Sequence, residues 1–420
     1  MKKGPDALMA EIRDPIHGYV KVDEMAKALI DTPQIQRLRW IKQLGLANLV
    51  YPGANHTRFE HSLGVCHLAG VLAEGLGLKE EDKARVKAAA LLHDVGHGPL
   101  SHATEIALLP YLRKGHTDIG DILRKGELKE VLDAHGLLPQ DIQALVKGEG
   151  PLGQVVSSEI DVDRMDYLMR DSHYTGVAYG VIDLPRLLQR MRLKGGHLVV
   201  DSGGVQAATS LLISRLLMHP SVYYHHVSRI SESMVAAGIR RLIDDGVRKA
   251  EEIKVMDDMS LFTSMDEAGG YAREMASRIK SRKLLKRSVY VGLEEFGGSK
   301  PKGGERRIAR EVAEEAGVDP EYVLVDNPPI PDAPEGDFLV LTNSDFKDSL
   351  DADNTNNTSD VRPLRDISPL VAMLEKAHQA AWRFGIYARA EERVVVEQAA
   401  KRCLNLRRSA FQHTLADLDG

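Results

Sequence analysis

His93 and Asp94 sit side by side where the apolar run Ala88-Ala89-Ala90-Leu91-Leu92 gives way to Val95-Gly96-His97-Gly98-Pro99. An imidazole and a carboxylate at the end of a buried helix can both ligate one metal ion. Taken alone, the pair equally suits an ordinary helix C-terminus, where the dipole favours a histidine. Two further stretches weight the metal reading: Asn55-His56-Thr57-Arg58-Phe59-Glu60-His61-Ser62-Leu63-Gly64 upstream and Ile160-Asp161-Val162-Asp163-Arg164-Met165-Asp166-Tyr167 downstream. Nearby, His102 and Glu105 are three residues apart, so on a helix the carboxylate can orient the imidazole and hold its pKa near neutrality. His97 and His116 are further pocket candidates, whereas single histidines such as His135 and His197 read as surface or core.

These side chains need helices to carry them. Residues 79–95 are expected to form the helix that ends at His93-Asp94, stopped by Gly96, Gly98 and Pro99. Residues 58–76 read as another helix, and 24–45 as a third with Thr32 and Pro33 as N-cap and N1 of its second part. Ile35, Leu38 and Ile41 then face inward, and Arg37, Arg39 and Lys42 read as a solvated face. If 158–171 is one helix, Asp163, Arg164, Tyr167 and Asp171 stand at roughly 0°, 100°, 40° and 80° around its axis and share one face. Asp161 and Asp166 read as surface residues.

With 420 residues and 43% apolar content, the chain can bury a large core, and scarce aromatics (5%) tilt it toward helix. A net charge of −6 offers no global basic field for nucleic acid. Two cysteines, Cys66 and Cys403, provide neither a zinc cluster nor a disulfide framework. No apolar run approaches the roughly 18 residues a membrane span needs, so a soluble, cytoplasmic protein is expected. From about residue 285 the texture turns to short strands and charged helices. The expected division is a helical body, 1–284, and a smaller α+β region, 285–420, with a polar loop at 345–360.

One histidine, then His-Asp, then one aspartate, on three helical segments in that order, resembles the HD-domain phosphohydrolases, and within them the deoxynucleoside triphosphate (dNTP) triphosphohydrolase branch. The likeness is dense over about residues 11–245 and only in outline beyond. It implies a mainly α fold, an HD-type helical core with a smaller α+β C-terminal appendage. It implies metal ligation by His61, His93, Asp94 and Asp163. Two imidazoles with two carboxylates suit Fe, Mn, Zn, Co or Ni and are too nitrogen-rich for Mg alone, although Mg can accompany the substrate. The resemblance carries catalytic roles beside the scissile phosphate to His97, His102, Glu105 and His116. Arg58, Arg164 and Arg215 match the grip on the triphosphate, with Arg164 standing where animal members have lysine. His219 and Tyr223 match the nucleotide pocket, and Gln43, Leu44, Tyr167 and Asp171 match residues around the sugar and its 3′-hydroxyl. Asp31, Gln36 and Arg39 match a guanine-reading activator site, but Ala10 stands where a basic residue is expected there.

The implied reaction is metal-dependent hydrolysis of a dNTP by water attack on the α-phosphorus, with His102 or His116 protonating the 5′-oxygen. The products are a deoxynucleoside and inorganic triphosphate. The alternatives are another HD-type nucleotide phosphohydrolase or phosphodiesterase, or an enzyme acting on nucleic acid. Expected partners are the dNTP, an activator nucleotide and further copies of the chain in a dimer or tetramer, with neither membrane nor nucleic acid among them.

Overall fold

The computed structural model describes residues 10–301, 303–330, 336–342 and 361–406. Met1–Pro5 and the polar loop expected at 345–360 lie outside the described residues. Helix dominates, 60% against 11% strand, so the mainly α expectation holds. In chain order come β1 (Ala10–Asp14), β2 (Gly18–Val22), α1 (Glu24–Ile30), α2 (Pro33–Arg37), α3 (Arg58–Gly75), α4 (Glu80–Leu92) and α5 (His102–Leu112). Short helices α6 (Gly120–Leu123), α7 (Gly126–Ala134), α8 (Pro139–Val146) and α9 (Gly150–Val156) lead to α10 (Val162–Thr175). There follow α11 (Leu184–Arg190), β3 (Met191–Lys194), β4 (His197–Asp201), α12 (Val205–Met218), α13 (His226–Asp244), α14 (Ala250–Lys254), α15 (Asp258–Ala268) and α16 (Gly270–Lys280). The rest is β5 (Lys286–Val291), α17 (Glu305–Ala316), β6 (Leu324–Asp326), β7 (Leu339–Leu341), β8 (Val361–Pro363), α18 (Leu364–Ile367), α19 (Pro369–Ala381), β9 (Phe384–Ala388) and α20 (Arg393–Cys403).

Two compact units result, and neither is continuous in sequence. Residues 1–218, 248–261 and 334–374 form the first, and 219–247, 262–333 and 375–420 the second. The sequence texture marks one passage, at 284/285, because it registers strands and not which helix packs where.

In the first unit α3 packs against both α4 and α10. A capping box starts α3, where the Thr57 N–H donates to Glu60 Oε2 at 2.6 Å. Acidic Glu80, Glu81 and Asp82 favour the first turn of α4, and its last five residues, Ala88 to Leu92, are fully buried. That buried end seats His93 one residue past the helix. Asp161 caps α10 by accepting the Arg164 N–H at 2.7 Å, so this helix begins at Val162 and not at 158. The expected helix over 24–45 stops at Arg37, and the chain is extended by Ile41. Ile35, Leu38 and Ile41 are nonetheless fully buried, as their spacing predicts. A four-stranded sheet, ordered β3-β4-β7-β8, belongs to this unit as well.

The second unit is built on the antiparallel sheet β5-β9-β6, against which α17 and α20 pack. Trp382, Phe384, Ile386, Val312, Val396 and Ala400 form its core. The Trp382 indole N–H donates to the Pro328 carbonyl at 2.9 Å, so its polar edge is satisfied. Arg229 on α13 is buried and donates through Nε to Asp326 of β6 at 2.9 Å. Trp382→Ala is expected to cost about 3–5 kcal/mol through the cavity and the orphaned carbonyl, read as the free energy of denaturant unfolding.

Candidate active site

Two imidazoles face each other at the junction of α3, α4 and α10. His93 Nδ1 lies 2.7 Å from the Ala90 carbonyl, which can only accept, so that nitrogen carries the proton. His61 Nδ1 lies 2.7 Å from Asp166 Oδ2, and that carboxylate fixes the same tautomer. In the neutral rings both Nε2 atoms therefore present lone pairs, and they are 3.2 Å apart. Lone pairs at that distance repel unless something positive lies between them. Asp163 Oδ1 stands 3.0 Å from His61 Nε2 and 3.7 Å from His93 Nε2. Asp94 places Oδ1 3.3 Å from His93 Nε2 and Oδ2 3.9 Å from His61 Nε2. Donors bonded to one cation at roughly 2.0–2.2 Å sit about 3 Å apart when neighbouring. His61, His93 and Asp94 bring their ligand atoms within 4.8 Å of one another and so could hold a divalent metal, with Asp163 beside the two imidazoles.

Without a cation the protons gather here. Burial works against charging His61, yet hydrogen bonds to Asp163 and Asp166 raise its pKa to about 10. Burial would raise Asp94, but the charges of Arg58, His93 and His97 outweigh it and hold the carboxyl well below the usual carboxylate range. Asp163 is likewise lowered, against its burial, by His61 and His93.

Behind His61 lies a buried network absent from the sequence reading. Asp166, expected at the surface, has no solvent exposure. The guanidinium of Arg170 donates to it twice, Nε to Oδ2 at 2.8 Å and Nη2 to Oδ1 at 2.9 Å, while His17 Nε2 lies 2.6 Å from Oδ1. A third donation, Arg170 Nη1 to Asp14 Oδ2 at 2.8 Å, ties the assembly to the β1–β2 hairpin. Room for it comes from Gly64, since a Cβ there would meet Asp166 Oδ1 at 1.9 Å. The i, i+4 spacing of Asp166 and Arg170, with Gly64 three residues after His61, was the available signal.

On the other side of Asp94 lies a second cluster. His97 is buried, its Nε2 3.4 Å from Asp94 Oδ1, and its ring stacks on His116 at 4.0 Å and 16°. Burial and the Arg58 charge keep its pKa well below the ordinary value, so it is neutral. Glu105 bonds His116, not His102 as the helical spacing predicts: His116 Nδ1 is 2.9 Å from Oε1, and the His116 N–H donates to the same oxygen at 3.1 Å. The imidazole of His116 prevails over burial to drive the Glu105 carboxyl far below its usual range. His102 begins α5, is exposed, and its ring lies 6.2 Å from that of His97. Close approach of the His116 segment requires Gly96, where a Cβ would meet the His116 carbonyl oxygen at 2.0 Å.

The residues matched to substrate binding are less uniform. Arg58 is buried, donating Nη1 to Asp94 Oδ2 and Nε to Ser101 Oγ, both at 2.6 Å. Arg164 pairs with Asp161 at 3.3 Å. Tyr167 is half-buried, its pKa raised by burial against the nearby charges of Arg215 and Arg164. Asp171 Oδ1 lies 2.7 Å from His56 Nε2, and the Gln43 N–H donates to the His56 carbonyl at 3.0 Å. Leu44 follows Gln43 and is half-buried. His219 and Tyr223 belong to the second unit, where a π-helical turn brings their rings edge to face at 5.2 Å. Of the residues matched to the activator site, Asp31 is exposed after α1. Gln36 Oε1 accepts from Arg39 Nε at 2.9 Å, and the Arg39 guanidinium lies 3.5 Å from the centroid of the Phe59 ring.

Comparison with known proteins agrees with this geometry. Residues 58–171 match the HD domain and residues 182–415 the HD associated region, and the chain belongs to the HD-domain family. It is 33% identical over 408 residues to an uncharacterized protein of Methanocaldococcus jannaschii, covering 91% of this chain and 80% of that one. It is 31% identical over 348 residues to the deoxynucleoside triphosphate triphosphohydrolase SAMHD1 of Homo sapiens, covering 68% of this chain. Only 55% of the human protein is spanned. The crystal structure of a hypothetical protein from Aquifex aeolicus superposes with a TM-score of 0.73 at 30% identity, covering 94% of this chain and all of that one. Among the described residues, no helix is long and apolar enough to cross a membrane.

Asp166→Asn keeps the size of the side chain but weakens its hold on His61. Metal affinity is expected to fall about 10- to 100-fold in a competitive chelator titration, with the fold retained by circular dichroism.

Proposed function

We propose that this protein is a divalent-metal-dependent hydrolase of deoxynucleoside triphosphates, releasing the deoxynucleoside and inorganic triphosphate. The observation that carries the reading is the facing pair of imidazole lone pairs, 3.2 Å apart, flanked by the carboxylates of Asp94 and Asp163. His61, His93, Asp94 and Asp163 would hold the cation. Such an ion, drawn from Fe, Mn, Zn, Co or Ni, acts as a Lewis acid that neutralises charge at phosphorus and makes water nucleophilic at neutral pH.

The remaining roles belong to the chain's own side chains. Arg164 and Arg215 supply positive charge for the triphosphate, and Arg58, seated on Asp94, adds its charge beside the reacting centre. Water attacks the α-phosphorus, and the 5′-oxygen needs a proton as it leaves. With Nδ1 held by Glu105, His116 in its protonated form carries a second proton on Nε2, so it is better placed for this step than exposed His102. Neutral, buried His97 packs against that ring and fixes its plane. Gln43, Leu44, Tyr167 and Asp171, all of the first unit, surround the sugar. The similarity to human SAMHD1, named for this activity, supports the substrate class. Asp31, Gln36 and Arg39 form the activator-nucleotide site of a dimer or tetramer.

The test is incubation of metal-analysed protein with each dNTP, alone and with GTP or dATP, with products resolved by anion exchange. Triphosphate and deoxynucleoside are expected; orthophosphate or a nucleoside monophosphate as first product would reject the reading. Asp163→Ala is expected to lose metal content and turnover together, and full activity in that variant would overturn the ligand assignment. Glu105→Gln is expected to lower kcat by about 100-fold or more with the metal retained, as His116 loses its orientation.

A further inference from the structure

The loop from Val95 to Ser101, between α4 and α5, carries the turn that follows the His-Asp pair. One end is held by Arg37, itself seated on the Met256 carbonyl, and the other by Asp258. Arg37 Nη2 donates to the carbonyls of Val95, at 3.0 Å, and His97, at 2.7 Å, while its Nη1 donates to the Met256 carbonyl at 2.8 Å. The sequence reading put Arg37 on a solvated face, but its guanidinium spans three backbone carbonyls instead. Two residues after Met256, Asp258 is buried and accepts two backbone N–H groups. Leu100 donates to Oδ1 at 2.7 Å and Lys42 to Oδ2 at 3.0 Å.

The held end of the loop has unusual backbone. Leu100 and Ser101 are consecutive non-glycine residues in the left-handed region, at φ values of 50° and 46°. Side-chain-bearing residues occupy that region only where their surroundings enforce it. From this turn, Ser101 Oγ receives Arg58 Nε, and Arg58 Nη1 reaches Asp94 Oδ2. The Ser101 carbonyl also accepts the Glu105 N–H at 3.0 Å, which sets the start of α5. Hydrogen bonds joined by the Leu100–Ser101 backbone thus link Asp258 to Asp94 and, through the start of α5, to the Glu105–His116 pair. Arg37, Lys42 and Arg58 are the cations around Asp258, and Asp257 is the acid beside it.

We propose that Met256–Asp258 is a strap that holds the Val95–Ser101 loop in its reactive shape, with Asp258 and Arg37 as positioning residues for Arg58, Asp94 and the start of α5. Neither side chain touches substrate. Their effect is to keep a strained turn closed so that one guanidinium sits on one metal-ligating carboxylate. The inference rests on the proposed hydrolase activity for its kinetic consequence, but not for its structural one.

The experiment uses the full metal-loaded chain and compares wild type with Asp258→Asn, which turns one of the two acceptor oxygens into an N–H donor facing a backbone N–H. Amide hydrogen exchange over Val95–Ala103 is read first. Protection is expected to fall about tenfold or more, with metal content unchanged. On dNTPs, kcat is expected to fall about 10- to 100-fold with KM changing less, because alignment and not ground-state binding is lost. Unchanged exchange over that loop overturns the strap, whatever the kinetics. Loosened exchange with unchanged kcat overturns the positioning role. Loosened exchange in a protein whose wild type cleaves no dNTP leaves the strap standing and rejects the proposed substrate instead. Should Asp258→Asn not fold, Arg37→Lys keeps the charge but loses the forked donation, and the same exchange over Val95–Gly98 decides.

Discussion

The structure turns on how the His61 ring is held. Its Nδ1 is committed to Asp166, and its Nε2 is thereby aimed at His93 and Asp163, 3.2 Å and 3.0 Å away. Asp166 can do this only because Arg170 and His17 satisfy its oxygens inside the protein, where an unpaired carboxylate would cost several kcal/mol. Gly64 follows from the same requirement, since any side chain there would occupy the carboxylate's place. The β1–β2 hairpin is drawn in through Asp14, which accepts from Arg170 Nη1. One histidine's orientation therefore reaches from α3 through α10 to the first strand of the chain.

The opposite side of the centre is arranged on a different principle. Arg58 bonds Asp94 and Ser101, and His97 stacks between Asp94 and the His116–Glu105 pair. Buried charges are here offset pairwise, and His97 beside them is neutral. A carboxylate, a guanidinium and a glutamate-bonded imidazole are thus supplied by Asp94, Arg58 and His116. The Val95–Ser101 loop between them is held by hydrogen bonds of its backbone with Arg37 and Asp258, with Val95 and Leu100 buried.

Much of this was legible beforehand. The order His61, His93-Asp94, Asp163 carried the family resemblance, and the resemblance, not spacing alone, implied the ligand set. Helix α4 follows from its apolar run and the Gly96, Gly98 and Pro99 that stop it, and the inward face of Ile35, Leu38 and Ile41 from periodicity. What spacing could not convey is pairing across the chain. Glu105 lies three residues from His102 yet bonds His116, eleven residues away, because the Gly96 turn carries His116 over it. Asp166 and Arg37 looked like surface charges since charged residues usually are. Their partners, His17 and Met256, are 149 and 219 residues away in the chain. Strands β3, β4, β8 and β9 also escaped notice, being three to five residues long and recruited by neighbours distant in sequence.

Anomalous diffraction from crystals of the metal-loaded protein, collected on both sides of the absorption edge of the metal found by elemental analysis, bears most directly on the convergence of the four side chains. Expected is a single strong peak per chain, within about 2.0–2.3 Å of His61 Nε2, His93 Nε2 and oxygens of Asp94 and Asp163. A metal peak bound elsewhere, or one that leaves His61 and His93 facing each other unbridged, would contradict it.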